Sequence, residues 1–233
     1  MKKYGLILFL LLRINSAFSQ CDKLPEINKL GITWQSFIPQ KWKLMDSATS
    51  EFNNDGLVDI ALILENENNN EHDDDLNCHR PLLILEKTKN GYVLNTVCKK
   101  AVLCNQCGGV FGNPYNGITF KKNILTINHY GGSAWRWNIN YIFRFQKTKK
   151  WELIGMYDNS YWTMGDCKDN EIGGAALNSI DVNFSTSKAH IIKTKDDSCN
   201  PYEDVWKSFP KKTLEGLKNF SVEKSYNPFP KEN

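Results

Sequence analysis

From Trp135 to Phe145, large apolar side chains stand at every second position. Trp135, Trp137, Ile139, Tyr141, Phe143 and Phe145 alternate with Arg136, Asn138, Asn140, Ile142 and Arg144. A helix repeats every 3.6 residues and cannot gather such a series on one face. A β-strand does so automatically, because successive side chains project to opposite sides. The chain therefore commits a long strand to a sheet with one buried face.

Neighbouring segments extend the pattern. Val58 to Leu64 is a nearly continuous apolar run, the signature of a strand covered on both faces. Pro81 to Glu86 and Gly91 to Val97 flank Lys89-Asn90-Gly91, and Asn-Gly is the strongest short hairpin signal. Gly117 to Phe120 and Asn123 to Asn128 lie around Lys121-Lys122. Trp151 to Tyr157 returns after the basic turn Lys147 to Lys150, and Ser179 to Phe184 pairs naturally with Ala189 to Lys193. Helical periodicity is weak; Lys23 to Leu30 and Lys212 to Asn219 offer a turn or two. The expectation is an all-β fold of antiparallel sheets built from successive hairpins, in a sandwich or a partial propeller-like arrangement. A single domain should cover residues 20–233, with a frayed tail from about 221, where periodicity lapses and Pro228 and Pro230 fall.

The N-terminus reads as a secretory signal over residues 1–19. Lys2 and Lys3 precede an apolar run from Gly5 to Leu12, and Ala17-Phe18-Ser19 supplies a small-x-small cleavage site. That run is too short to span a bilayer and ends at Arg13, and no other stretch reaches membrane length. The competing reading is lipid attachment at Cys21, which wants a small residue before the cysteine where Gln20 stands. Cleavage removes Lys2, Lys3 and Arg13 and no acidic residue, so the formal +3 falls to zero. A neutral exported chain is a poor partner for nucleic acid or an anionic membrane. Release to the periplasm or the extracellular space is expected, with an extracytoplasmic protein or glycan as partner.

Export places Cys21, Cys78, Cys98, Cys104, Cys107, Cys167 and Cys199 in an oxidising compartment, where disulfides are the default. Seven is odd, and Cys21 is the natural unpaired member. Cys78, Cys98, Cys104, Cys107, Cys167 and Cys199 are the disulfide candidates, with Cys78 and Cys98 as prospective partners for the Cys104/Cys107 pair. Gly108-Gly109-Val110-Phe111-Gly112 follows that pair and will not start a helix, which argues against thioredoxin-like redox chemistry. Cys78, His79 and Cys98 are too irregularly spaced for a convincing zinc set.

The densest group of ligand-type residues is Ser50-Glu51-Phe52-Asn53-Asn54-Asp55-Gly56-Leu57-Val58-Asp59. Side-chain oxygens at Glu51, Asn53, Asp55 and Asp59, with the backbone carbonyl of Leu57, can wrap a hard cation where Gly56 turns the chain. Calcium is the expected cofactor. The twelfth loop position, a bidentate Glu in an EF-hand, is Leu62 here, and strand-like rather than helical residues follow. The plainer reading is an Asn/Asp turn. Glu65 to Asn77 is an acidic insert, read as a solvated loop or as a looser cation site on Asp73, Asp74 and Asp75.

Ser50 to Ile60 resembles the D-x-N-x-D-G-x-x-D loop of FG-GAP and VCBS-type repeats, the calcium-bearing turns of integrin-like propellers, with Glu51 in place of the opening Asp. Arg80-Pro81-Leu82-Leu83-Ile84-Leu85, the block Leu103 to Gly112 and the block His129 to Trp137 are similar to segments of exported bacterial proteins of uncharacterised function. The resemblance implies a secreted or periplasmic β protein with structural calcium and no established catalytic role. With one such loop and no internal repeat, a complete propeller does not follow.

His129-Tyr130-Gly131-Gly132 has the look of an oxyanion loop, yet the chain lacks a Gly-x-Ser-x-Gly elbow, so a glycine bend entering the Trp135–Phe145 strand is the better reading. The functional expectation is a calcium-binding exported protein that holds a macromolecule through its aromatic-rich strand and the loops at its ends. The alternative is an envelope or polysaccharide hydrolase with acids among Asp158, Asp166 and Asp181.

Overall fold

The computed structural model describes residues 23–67, 80–165, 167, 175–195 and 198–229. Twelve strands are present among them: β1 (Leu30–Gly31), β2 (Trp42–Ser50), β3 (Asp59–Asn66), β4 (Arg80–Thr88), β5 (Gly91–Val102), β6 (Tyr115–Lys121), β7 (Ile124–Gly132), β8 (Trp135–Phe145), β9 (Trp151–Trp162), β10 (Ala175–Asn183), β11 (Lys188–Thr194) and β12 (Pro201–Ser208). They form a five-stranded sheet of order β1-β5-β4-β3-β2 and a seven-stranded sheet of order β12-β11-β10-β9-β8-β7-β6. Pairing is antiparallel throughout both sheets. Each sheet is thus a meander of hairpins, with only β1 inserted out of turn.

The two sheets share one core, so the arrangement is two packed layers. Ala61 and Ile63 of β3 and Leu82 and Ile84 of β4 meet Phe120, Leu125, Ile127, Tyr141, Phe143 and Met156 from β6 to β9. The opposite side of β3 and β4 is buried as well. Ile60, Leu62, Leu64, Leu83 and Leu85 pack under Ile27, Phe37 and Trp42 of the N-terminal segment. Cover on both faces is why β3 reads as an unbroken apolar run. The expected helical turn at Lys23 to Leu30 is absent. A 3₁₀ turn forms instead at Trp34–Phe37, and a second at Leu217–Asn219.

The C-terminal segment is packed as far as the description extends, contrary to the expected fraying from 221. Leu217, Phe220 and Val222 are buried in the shared core. The Phe220 ring lies 4.9 Å from that of Tyr141 and 5.0 Å from that of Phe143, with Tyr226 stacked on it at 5.1 Å. Val222 N–H donates to the Lys100 carbonyl at 2.9 Å. Three apolar anchors in a row outweigh what the weak local pattern of this tail suggests.

Candidate functional site

The Glu51–Asp59 segment is the turn from β2 to β3. Left-handed backbone at Asn54 (φ 63°) and Gly56 (φ 80°) reverses the chain. Glu51 Oε1 accepts from the backbone N–H of Asn54 and, at 3.2 Å, of Asp55. Asn53 Oδ1 accepts from Asp55 N–H at 3.1 Å, and Asp55 Oδ1 from Leu57 N–H at 2.7 Å. The Asn53 amide donates to Asp55 Oδ2 at 3.0 Å. These three side chains therefore fold inward over one turn.

Asp59 begins β3 and is fully buried. Its Oδ2 accepts from Phe52 N–H at 3.1 Å and its Oδ1 from Lys87 N–H at 2.8 Å, which ties the turn to β4. Burial pushes its pKa up to about 6; the two backbone bonds pull it down, while Asp55 and Glu86 raise it further. The donor set fits a hard cation in kind: all oxygen, three carboxylates, one of them buried beside other acids. Each carboxylate is turned onto backbone N–H groups, and among the described residues no three His, Cys, Asp or Glu side chains are gathered as a metal-holding group. The Asp73–Asp75 insert lies outside the described residues.

The aromatic strand β8 buries the face that its alternation assigns to the core. Its apolar side, with Tyr141 and Phe143, is the buried one. Its polar side, Arg136, Asn138 and Asn140, faces outward with the matching residues of its neighbours. Register places Asn128, Asn140, Tyr157, Asp181, His190 and Trp206 in one row across β7 to β12. A second row carries Tyr130, Asn138, Asn159, Ser179, Ile192 and Asp204. Trp206 is 68% exposed and stacks on His190, with centroids 4.9 Å apart. His190 Nε2 lies 2.6 Å from Asp204 Oδ1. At the other edge the Arg136 guanidinium sits 3.9 Å over the ring of Phe111, which is 5.7 Å from Tyr130. The Tyr130 and Tyr161 hydroxyls are 3.5 Å apart, and burial with that contact pushes the Tyr161 pKa up to about 12. Alternation predicts this surface, but its extent depends on the cross-strand register of six strands.

Phe111 is brought there by the Cys104–Gly112 loop. Gly132 N–H donates to the Gly108 carbonyl at 2.8 Å, and Val110 N–H to the Gly132 carbonyl at 3.1 Å. A Cβ on Gly131 would come within 2.5 Å of the Trp137 ring, and Gly132 has φ 112°, so both glycines permit the close approach. Cys104 and Cys107 are bonded to each other, with Cα atoms 5.2 Å apart, and Cys167 to Cys199 at 5.3 Å. The expected pairing of Cys98 with the Cys104/Cys107 pair does not form. Cys98 is a buried free thiol that donates to the Phe220 carbonyl at 3.3 Å, and burial pushes its pKa up to about 12. Cys21 and Cys78 lie outside the described residues.

His129 is buried, its Nε2 accepting from Leu103 N–H at 3.3 Å. Burial, with Arg80 nearby, holds its pKa down at about 4, so it is a neutral core histidine. Arg80 was legible only as the head of an apolar block, yet it is 1% exposed, donating to Asn113 Oδ1 at 2.8 Å with Glu65 at 3.8 Å. Of the hydrolase candidates, Asp158 and Asp181 are not brought together. Asp158 pairs in register with Ile180, and Asp181 with Tyr157, so the two acids stand on opposite faces of the sheet. Asp158 lines a pocket of about 470 Å³ with Ser160, Ile191, Lys193 and Phe229. Burial raises its pKa. Asp166 lies outside the described residues.

These features define a two-sheet, all-β protein with one polar–aromatic open face. Comparison with protein-family models, curated proteins and solved structures finds no match. No helix among the described residues is long and apolar enough to cross a membrane.

Proposed function

We propose that this chain is an exported calcium-binding protein that holds an extracytoplasmic macromolecule on the outer face of its seven-stranded sheet. The observation that carries the reading is that face. Two registered rows, mostly amide, aromatic and carboxylate side chains with Ser179 and Ile192 among them, run across six strands, one ending at the exposed Trp206 and the other at Asp204. Exposed aromatic residues interleaved with amides are characteristic of recognition surfaces rather than of solvated sheet faces. The two disulfides suit an oxidising compartment.

Calcium has a structural role in this proposal. Glu51, Asn53, Asp55, Asp59 and the Leu57 carbonyl would hold it. Its charge would offset the carboxylates that converge on the β2–β3 turn and fix the start of the central strand β3. Recognition itself falls to the outer face. Co-sedimentation of purified residues 20–233 with isolated bacterial cell envelopes tests the reading. Wild type should pellet with the envelopes, and Trp206→Ala with Tyr157→Ala should remain in the supernatant. Equal pelleting of both, or none by wild type, would refute it.

A further inference from the structure

We infer that the ligand of this face is a linear, uncharged glycan lying across the strands; the inference rests on the recognition reading above and names its substrate class. The first ground is a set of unused acceptors. Asn138, Asn140 and Asn159 are neighbours, two on β8 and one opposite on β9, and the Oδ1 of each is buried without a hydrogen-bond partner. Asn159 is only 5% exposed, and its amide N–H donates to the Tyr157 hydroxyl at 3.0 Å. These oxygens are closed to solvent as the side chains stand; rotating the half-buried amides of Asn138 and Asn140 toward the open face would offer their acceptors to a ligand rich in O–H groups. An amide that presents one acceptor and two donors also suits the vicinal hydroxyls of a sugar, each of which both gives and takes.

The second ground is the aromatic placement. Tyr130, Tyr157 and Tyr161 border the three asparagines, Phe111 (46% exposed) stands at one edge and Trp206 at the other. Sugar rings carry C–H groups on their faces, and these pack on flat π surfaces. From β7 to β12 there are five inter-strand gaps of about 4.8 Å, so the face extends for about 24 Å. That length suits an extended chain of several sugar rings better than a monosaccharide.

The third ground is charge and apolarity. Arg136 and Lys188 stand on the same face as Asp181 and Asp204, and His190 is already paired with Asp204. Mixed signs in one surface favour no polyanion. Aliphatic side chains on it are few, Ile142 and Ile192 among them, whereas a protein partner wants an apolar centre ringed by polar groups. This face has no such apolar centre: its amides lie on β7 to β9, and Tyr157, Asp181 and Ser179 occupy its middle.

The test is isothermal titration of residues 20–233, in calcium buffer, with linear hexasaccharides of glucose, mannose, xylose and N-acetylglucosamine, followed by amide-resolved NMR. At least one sugar should bind, with shifts centred on Asn138, Asn140 and Asn159. Tyr157→Ala and Trp206→Ala should each weaken binding at least tenfold while leaving the melting temperature within a few degrees. No heat and no shift at millimolar sugar would overturn the glycan inference, as would binding that both variants leave unchanged. The broader reading fails separately. Envelope co-sedimentation that depends on Tyr157 and Trp206 but survives periodate treatment of the envelopes would sink the glycan and keep the recognition face. Co-sedimentation that ignores both residues would sink the two together.

Discussion

His129 is a residue whose chemistry differs sharply from that of an exposed histidine. Its pKa falls from 6.5 to about 4 because burial disfavours the imidazolium. Between these values the unfolded chain binds a proton that the native state refuses, so the His129 contribution to stability is full above pH 6.5 and is lost as pH drops toward 4. The linked loss approaches about 3 kcal/mol at the acid end. Asp59 and Asp158, whose pKa values burial raises, gain stability over the same window, so the test is the difference between wild type and a folded His129→Phe. In urea titrations from about pH 7.5 to 4.5, wild type should lose stability relative to the variant as pH falls. A difference that does not change with pH would contradict a neutral core histidine. Cys98 makes a second prediction at this scale. With its thiol buried and its pKa pushed up to about 12, iodoacetamide should leave the Cys98 peptide unmodified in native protein and label it fully in denaturant. Rapid native labelling would mean the thiol is reachable. Neither property was visible in the sequence, because both depend on the elements packed around these side chains. The local chemistry of the β2–β3 turn was visible, since a turn is made from consecutive residues.

Among the elements, β8 was readable because alternation encodes both its conformation and its buried side. Hairpins announced by Asn-Gly or by basic pairs were readable for the same local reason. The covers over the sheets were not. Phe37 and Trp42 lie on one side of β3 and β4, whereas Phe220 lies in the core between the sheets, and nothing in a single segment records which layer it will reach. The C-terminal segment yields a clear test. Phe220→Ala removes a ring buried against Tyr141, Phe143 and Tyr226 and should cost about 3–5 kcal/mol in chemical denaturation. A loss below about 1 kcal/mol would mean the tail is not held in the core. Gly132→Ala puts a Cβ 2.0 Å from the Trp135 carbonyl at φ 112°. It should destabilise by about 1–3 kcal/mol. Weaker envelope retention should accompany that loss, because the Phe111 loop is bonded to Gly132.

The described residues form two meanders around a shared core, and this arrangement leaves one broad face of the larger sheet outside that core. Register was the missing quantity in the sequence: a slip of one residue in β9 or β10 would send Asp181 and Tyr157 to the other face. That same register separates Asp158 from Asp181, which removes the simplest carboxylate pair from the hydrolase alternative. Calcium is the claim that links the turn to the stability of the whole. A ligand that binds only the native state adds about 2.7 kcal/mol when its free concentration is a hundred times its dissociation constant. For a domain of this size that is about 5–10 °C in melting temperature.

The most direct measurement is therefore thermal unfolding of residues 20–233 in excess calcium and in chelator, on wild type and Asp55→Ala. The account predicts a rise of that size for wild type in calcium and none for Asp55→Ala. Identical melting of wild type in calcium and chelator would contradict it and leave Glu51 to Asp59 as an Asn/Asp turn closed by its own hydrogen bonds.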